Sequence, residues 1–299
     1  PSVIMGSLTS NGTVFLLNPN GILFGNGSSV NVGGLVASTM SINDANFMSG
    51  NYVFTGAGNG AVINRGTITA RDGGYVALMG RTVSNDGVIS ARLGSVVLAG
   101  GEALTLDVAG DGLLNVSVSQ GAVNALVQNS GMIRADGGRV LLTAQAAGDL
   151  LNTVVNNTGI IQAQTIENRN GTILLLGDMQ TGSVNVGGVL DASAPNGGNG
   201  GFIETSAAHV NINDGARVTT YAASGNTGQW LIDPMDFIIG STPGANISGA
   251  TLSGQLVTNN ITINTAGPGT QNGDIFVNDA VSWTASSSRW VLTSTAAPD

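Results

Sequence analysis

The side chains of this 299-residue sequence best suited to chemistry are its carboxylates, and half of them stand beside glycine. Asp72, Asp86, Asp111, Asp136 and Asp178 could form an exposed row if a repeating structure brought them to one edge. Two converging carboxyl groups could then cleave a glycosidic bond, or hold calcium for lyase chemistry. Asp beside Gly also braces a turn by accepting from its own backbone, and this is the preferred reading. Glu102, Glu167 and Glu204 are widely separated in unlike local patterns, so no acid–base pair is legible. His209, the single His, sits in SAAHVNIND without a second His, a Cys or a compact acidic quartet; it reads as an exposed strand or corner residue. PNGGNGG lacks the Lys-Ser or Lys-Thr of a phosphate loop. Tyr221, Trp230 and Trp290 could offer a sugar-stacking surface, although aromatics are only 4% of the chain and are needed for packing. The expectation is no catalytic, cofactor or metal site, and no enzyme.

Composition narrows the class further. All 9 basic residues are Arg, against 18 acids, for a formal charge of -9, so attraction to a nucleic-acid backbone has no source. No apolar run approaches the roughly 20 residues of a transmembrane helix. Cys is absent, which removes disulfides and thiolate chemistry. Pro1 to Gly6 do not form a secretory signal. With 42% hydrophobic residues the chain can bury a core, built mainly from Val, Ile, Leu and Ala.

The elements that would position these residues follow from a repeat. AVINRGTITARDGGYVALMG is succeeded by RTVSNDGVISARLGSVVLAG, with Asn-x-Gly corners at Asn64 to Gly66 and Asn85 to Gly87, and the corner returns at Asn129 to Gly131 and Asn157 to Gly159. Each unit carries two short alternating strands between corners. The gap from Asn85 to Asn129 reads as two repeats, with Glu102 to Ala125 supplying the missing turn. Such a pattern predicts an all-β fold, a parallel β-helix (solenoid) with capping or extra-helical β elements, in preference to an antiparallel sandwich. At 21 to 25 residues per rung it predicts on the order of a dozen rungs. Gly and Asn are expected at corners because they tolerate left-handed backbone. Val62, Ile68, Val88 and Ile133 are expected to face inward, and the four Asn to stack. QGAVNALVQNS and RVLLTAQAAGDLLNTVV carry some helix propensity but read better as strands.

The opening segment differs. Gly12 to Leu17 reads as a strand ending in Asn18-Pro19-Asn20-Gly21, followed by Ile22 to Gly25. Pro19 fixes φ, and Asn20 or Gly21 can take positive φ, so two strands meet at a fixed angle. NGTVFLLNPNGILFGNGSSVNVGGLVAST, Asn11 to Thr39, resembles the signature of the filamentous haemagglutinin-type secretion domain of two-partner secretion exoproteins (the TpsA family). The resemblance implies a right-handed parallel β-helix with an amino-terminal cap. It also implies export to the periplasm and passage through a cognate outer-membrane TpsB-type β-barrel transporter, with NPNG important for folding and export. The family domain ordinarily has cap strands upstream of the point where this sequence opens, so such strands are expected to precede Pro1.

GQWLIDPMDFIIG, with ISGATLSGQLVTNNITI and NGDIFVNDAVSW, resembles the segment that follows the shaft in large haemagglutinin-like adhesins. Trp230, Phe237, Phe276 and Trp283 are expected there to cover strand edges or a core end. The expected division is residues 1–101, a partial secretion domain; 102–227, a β-helical shaft; and 228–299, a β extension or carboxyl-side cap. The expected function is a secreted cell-surface adhesin scaffold with a host glycan or protein receptor. The competitors are a scavenger of a haem-carrying protein, the stalk of a contact-dependent toxin and, more remotely, a β-helical polysaccharide lyase.

Overall fold

The computed structural model describes residues 1–56, 58–108, 114–147, 153–266, 273–285 and 288–294. Three parallel sheets form the faces of a right-handed parallel β-helix, and the second of them continues to the last described strand. The first has eight strands, from Ser2–Ile4 to His209–Ile212. The second has ten, from Thr13–Leu17 to Trp290–Thr293. The third has eight, from Ser7–Thr9 to Arg217–Thr219. Ten rungs on the longest face fall short of a dozen because later rungs are longer than 25 residues: Thr172 pairs with Phe202, and Gln229 with Asn260.

Register explains the sequence pattern. On the first sheet Ile22, Val62, Val83, Val127, Val155, Val184 and Val210 stand in one column. On the third, Val30, Ile68, Ile89, Ile133, Ile161, Leu190 and Val218 do the same. All are buried. Branched side chains repeating at the strand spacing of about 4.8 Å fill the narrow interior without aromatic bulk. Val88 does not belong to this column. It is 38% exposed, and Ile89 takes the inward place, because alternation across a strand sends neighbours to opposite faces.

The stretch Glu102 to Ala125 is not a further turn of the helix. Ala103–Val108 and Leu114–Gln120 pair antiparallel, and Tyr52–Thr55 adds to the other side of Ala103–Val108. This three-stranded sheet lies outside the solenoid, on the outer face of the second sheet. Phe54, Leu104, Leu106 and Leu114 bury Val36, Ala77, Val97 and Leu141 in a second core. Asn85 and Asn129, 44 positions apart, are therefore direct neighbours, and the insertion leaves the helical path and returns to it. Of the two segments with helix propensity, Arg139–Ala144 and Leu126–Asn129 are strands.

Beyond residue 219 the third face has no strand among the described residues, and the helix Gly249–Gln255 takes its place against the core. Leu252 and Leu256 are buried, while Gln255 accepts from Val218 N and donates to the Ala216 carbonyl, satisfying the last third-sheet strand. Phe237–Ile239 pairs in parallel with Ile275–Val277. Trp230 and Phe237 are fully buried, and Trp283 packs edge-to-face on Trp290 at 6.2 Å against the core. Phe276 departs from its expected role. It points outward and is half exposed, because Ile275 is the residue of that strand packed on the core.

Candidate functional site

The NPNG turn links the second face to the first. Asn20 N donates to Asn18 Oδ1 at 2.9 Å and Gly21 N to the Asn18 carbonyl at 3.0 Å, so one residue braces the turn with both side chain and backbone. Gly21 takes the positive φ, +107°. The turn is also stitched to both neighbouring rungs. Asn18 Nδ2 donates to Ser2 Oγ at 2.9 Å, Ser2 N to the Gly21 carbonyl at 2.9 Å, and Gly60 N to the Pro19 carbonyl at 3.1 Å. A Cβ on Gly60 would stand 2.2 Å from Gly21 N, so only glycine allows that approach. Pro19 and Asn20 remain exposed at the tip. Ser2 and Gly60 were not legible as partners of this motif, because the contact depends on which rungs stack above and below it.

The second arrangement is the corner column. Asn64, Asn85, Asn129 and Asn157 stand in register and are buried. Each amide donates to the next carbonyl oxygen: Asn64 to Asn85 at 2.8 Å, Asn85 to Asn129 at 2.7 Å, Asn129 to Asn157 at 2.8 Å. Such a chain satisfies polar groups that burial would otherwise leave costly. The backbone repeats the pattern, since the Asn64 carbonyl accepts from both Asp86 N and Gly87 N, and Asn85 and Asn129 do the same one rung on. Phe24 precedes the column and Val186 follows it, so it is a capped polar insert in an apolar interior. Gly66, Gly87, Gly131 and Gly159 line the same corner. None has a positive φ, which corrects the left-handed reading. Their cause is close approach: a Cβ on Gly87 would meet the Gly66 carbonyl at 2.2 Å, and on Gly131 the Gly87 carbonyl at 2.1 Å.

The carboxylates do not converge. Asp72 pairs with Arg92, Asp86 with Arg65 at 3.5 Å, Glu102 with Arg81 at 2.9 Å, and Asp136 with Arg134 at 3.1 Å. Asp136 also accepts from Gln162 and from Gln164 N, and Asp178 from Gln180 N and Thr181 N within its own turn. Asp111 lies outside the described residues. Glu167 is exposed at positive φ beside a tight turn, and Glu204 accepts from Ser206 Oγ at 2.8 Å. His209 is exposed at the start of its strand, and no group of three His, Cys, Asp or Glu able to hold a metal occurs among the described residues.

Trp230 donates from Nε1 to Thr205 Oγ1 at 3.1 Å inside the core; Tyr221 is exposed and Trp290 packs on Trp283, so the three do not form one surface. One ionisable group was missed from sequence. Asp233 sits next to Ser206 in register, its Oδ1 buried without a partner, and burial, helped by the charge of Glu204, raises its pKa. Nothing in LIDPMD marks it, because its burial depends on the neighbouring rung, where Ser206 and Glu204 stand beside it.

Residues 1–192 match the family model of the TPS secretion domain. The chain is similar to two curated heme/hemopexin-binding proteins of Haemophilus influenzae. One, of strain ATCC 51907, is 36% identical over 192 residues, covering 59% of this chain and 20% of the relative; the other is 33% identical over 201 residues, covering 59% and 21%. The chain thus spans about a fifth of the length of these relatives. The crystal structure of the HMW1 secretion domain from Haemophilus influenzae matches with TM-score 0.66 at 24% identity, over 96% of this chain and 82% of that one, and shares its fold. The chain belongs to the TPS secretion domain family. Membership implies a TpsB-type transporter as partner and secretion by the two-partner route. No described helix is long and apolar enough to cross a membrane.

Proposed function

We propose that this TPS domain is the exported leading part of a longer cell-surface adhesin. The opening rungs, with NPNG at their second-to-first face junction, present the signal that the cognate outer-membrane transporter reads. The later rungs begin a shaft that holds receptor-binding parts away from the cell, the receptor being a host glycan or protein. The observation that carries this reading is the NPNG turn, pinned to both neighbouring rungs within the segment that matches the family.

A second reading has its own support. Both curated relatives are named heme/hemopexin-binding proteins, so the longer protein could scavenge a haem carrier instead of adhering. Either way the chain acts by binding and not by bond cleavage, a reading supported by the pairing of Asp72, Asp86, Asp136 and Glu102 with arginines.

Export tests the leading reading. Asn18→Ala removes both the turn acceptor and the Ser2 contact, and Gly21→Val forces a branched side chain into positive φ. Pulse-labelled cells carrying the transporter are expected to release less of either variant and to degrade more in the periplasm. Gly215→Ala, at a position with open space, serves as control. Unchanged export of both NPNG variants would remove the motif from the assignment.

A further inference from the structure

The extra-helical sheet covers the outer face of the second sheet only as far as the rung of Leu174 and Leu176. Among the described residues no further strand is layered on that face beyond this point. A groove of about 660 Å³ runs along its edge across the rungs of Thr172, Phe202, Gln229, Asn260 and Arg289. That volume lies within the range of small-ligand sites.

One wall is bare backbone, for a physical reason. Gly171, Gly201 and Gly228 follow one another on successive rungs, and a Cβ on Gly201 would stand 2.1 Å from the Gly171 carbonyl, and on Gly228 2.0 Å from the Gly201 carbonyl. No side chain can fill that wall. Asn260 fixes the far end: its Nδ2 donates to the carbonyls of Thr227 and Gly228 at 2.8 and 2.9 Å, and its Oδ1 accepts from Arg289 N at 2.9 Å. It thereby holds the loop and the Arg289 strand together.

The floor combines three kinds of chemistry. Phe202 offers an aromatic ring, half-buried on the outer face. Gln229 donates to Thr262 Oγ1 at 3.2 Å, which fixes both side chains and leaves the Gln229 carbonyl free to accept. Arg289 brings a guanidinium that has no ion-pair partner among the described residues, whereas Arg65, Arg81, Arg92 and Arg134 each hold a carboxylate. In a chain of net charge -9 an arginine left unpaired in a groove suits an anion, and its planar fork suits a carboxylate. Among the described residues the acids on that face in register are Glu204 and Asp233; the first is three rungs and two residues, the second two rungs and four residues, from Arg289, each roughly 16 Å away.

We propose that this groove binds an acidic glycan, with a neutral sugar stacked on Phe202, polar contacts from Gln229 and Thr262, and a sugar carboxylate on Arg289. The ring, the amide and the guanidinium lie along one line at rung spacing, which fits an extended oligosaccharide better than a compact ligand. The site lies almost wholly beyond the segment that matches the secretion-domain family, so it goes beyond the export reading and does not depend on it.

The test is calorimetric titration of the 299-residue chain with oligogalacturonate, hyaluronan oligosaccharide and sialyllactose, each beside its carboxyl-reduced counterpart. Saturable binding of at least one acidic probe is expected, with loss of at least tenfold in affinity on carboxyl reduction or in Arg289→Gln. Phe202→Leu keeps an apolar side chain while losing the ring and should weaken binding at least threefold, with unchanged melting showing that the fold is intact. Arg71→Gln, another exposed arginine without an ion-pair partner among the described residues, should stay within twofold. No saturable binding of any acidic probe, equal binding of the reduced probes, or equal losses in Arg71→Gln and Arg289→Gln would overturn the proposal. Export of Arg289→Gln is expected to be normal, so failure here and failure of the secretion reading are separable.

Discussion

Removing one amide from the middle of the asparagine column should cost far more than removing the one at its end. Asn85 both accepts from Asn64 and donates to Asn129, at 2.8 and 2.7 Å, with all three side chains buried. Asn85→Val therefore strands two polar groups, the Asn64 amide, which keeps only a 3.4 Å contact to the Val88 carbonyl, and the Asn129 side-chain oxygen. Asn157→Val strands one, the Asn129 amide, which keeps weak contacts to the Ile160 and Gly131 carbonyls at 3.4 and 3.5 Å. Valine is a fair replacement in shape, because Val186 occupies the same column one rung after Asn157. At about 1–3 kcal/mol per stranded buried group, Asn85→Val should destabilise by ~3 kcal/mol and Asn157→Val by ~1.5 kcal/mol. The neighbours should also couple: once Asn64 is already Val, Asn85→Val strands only Asn129, so the double variant should cost at least ~1 kcal/mol less than the sum of the singles. Urea unfolding of the unsubstituted chain, the three single variants and the double variant, read by far-ultraviolet circular dichroism, gives these differences. An end substitution as costly as the middle one, or strict additivity of the neighbouring pair, would refute the idea of a cooperative ladder.

Other consequences follow from the same geometry. Gly131→Ala, whose Cβ would lie 2.1 Å from the Gly87 carbonyl, should lower stability by about 1–3 kcal/mol, while Gly215→Ala should be neutral, both read from urea midpoints. Asp233 has a folded pKa raised by burial and then by Glu204. Its ionisation is a penalty absent below the unfolded pKa and fully present above the folded one, so stability falls as pH rises between them. Asp233→Asn should accordingly raise the melting temperature at pH 7 and leave it unchanged at pH 3; equal gains at both would show that charge is not the cause. Incubation of the chain with acidic or neutral polysaccharides, with and without calcium, should release no new reducing ends or unsaturated sugars. Turnover abolished by a carboxylate-to-amide change would make the protein an enzyme.

The sequence revealed the solenoid because its corners repeat in type as well as spacing. Asn64, Asn85, Asn129 and Asn157 could be aligned by eye, and the structure places them in one hydrogen-bonded column. Where the reading failed, the missing information was non-local. The 44-residue gap looked like two rungs because Ala103–Val108 and Leu114–Gln120 alternate like any strand, and only their antiparallel pairing sets them outside the helix. Val88 looked like core because it is apolar, yet its neighbour Ile89 holds the inward place. The corner glycines were expected for the wrong reason: the constraint is the carbonyl of the rung beneath, which no single-rung argument contains. The NPNG turn was legible as a turn from Pro19 and Gly21, whereas its anchoring to Ser2 and Gly60 depends on stacking.

The central claim is that this chain leaves the cell through a dedicated transporter, and its dependence on that partner is the most direct test. The chain would be expressed behind a periplasmic export signal in cells with and without the cognate TpsB-type gene, and quantified in medium and periplasm after pulse labelling. Release into the medium only when the transporter is present, with periplasmic retention and degradation in its absence, is the expected result. Equal release from both strains would contradict the account.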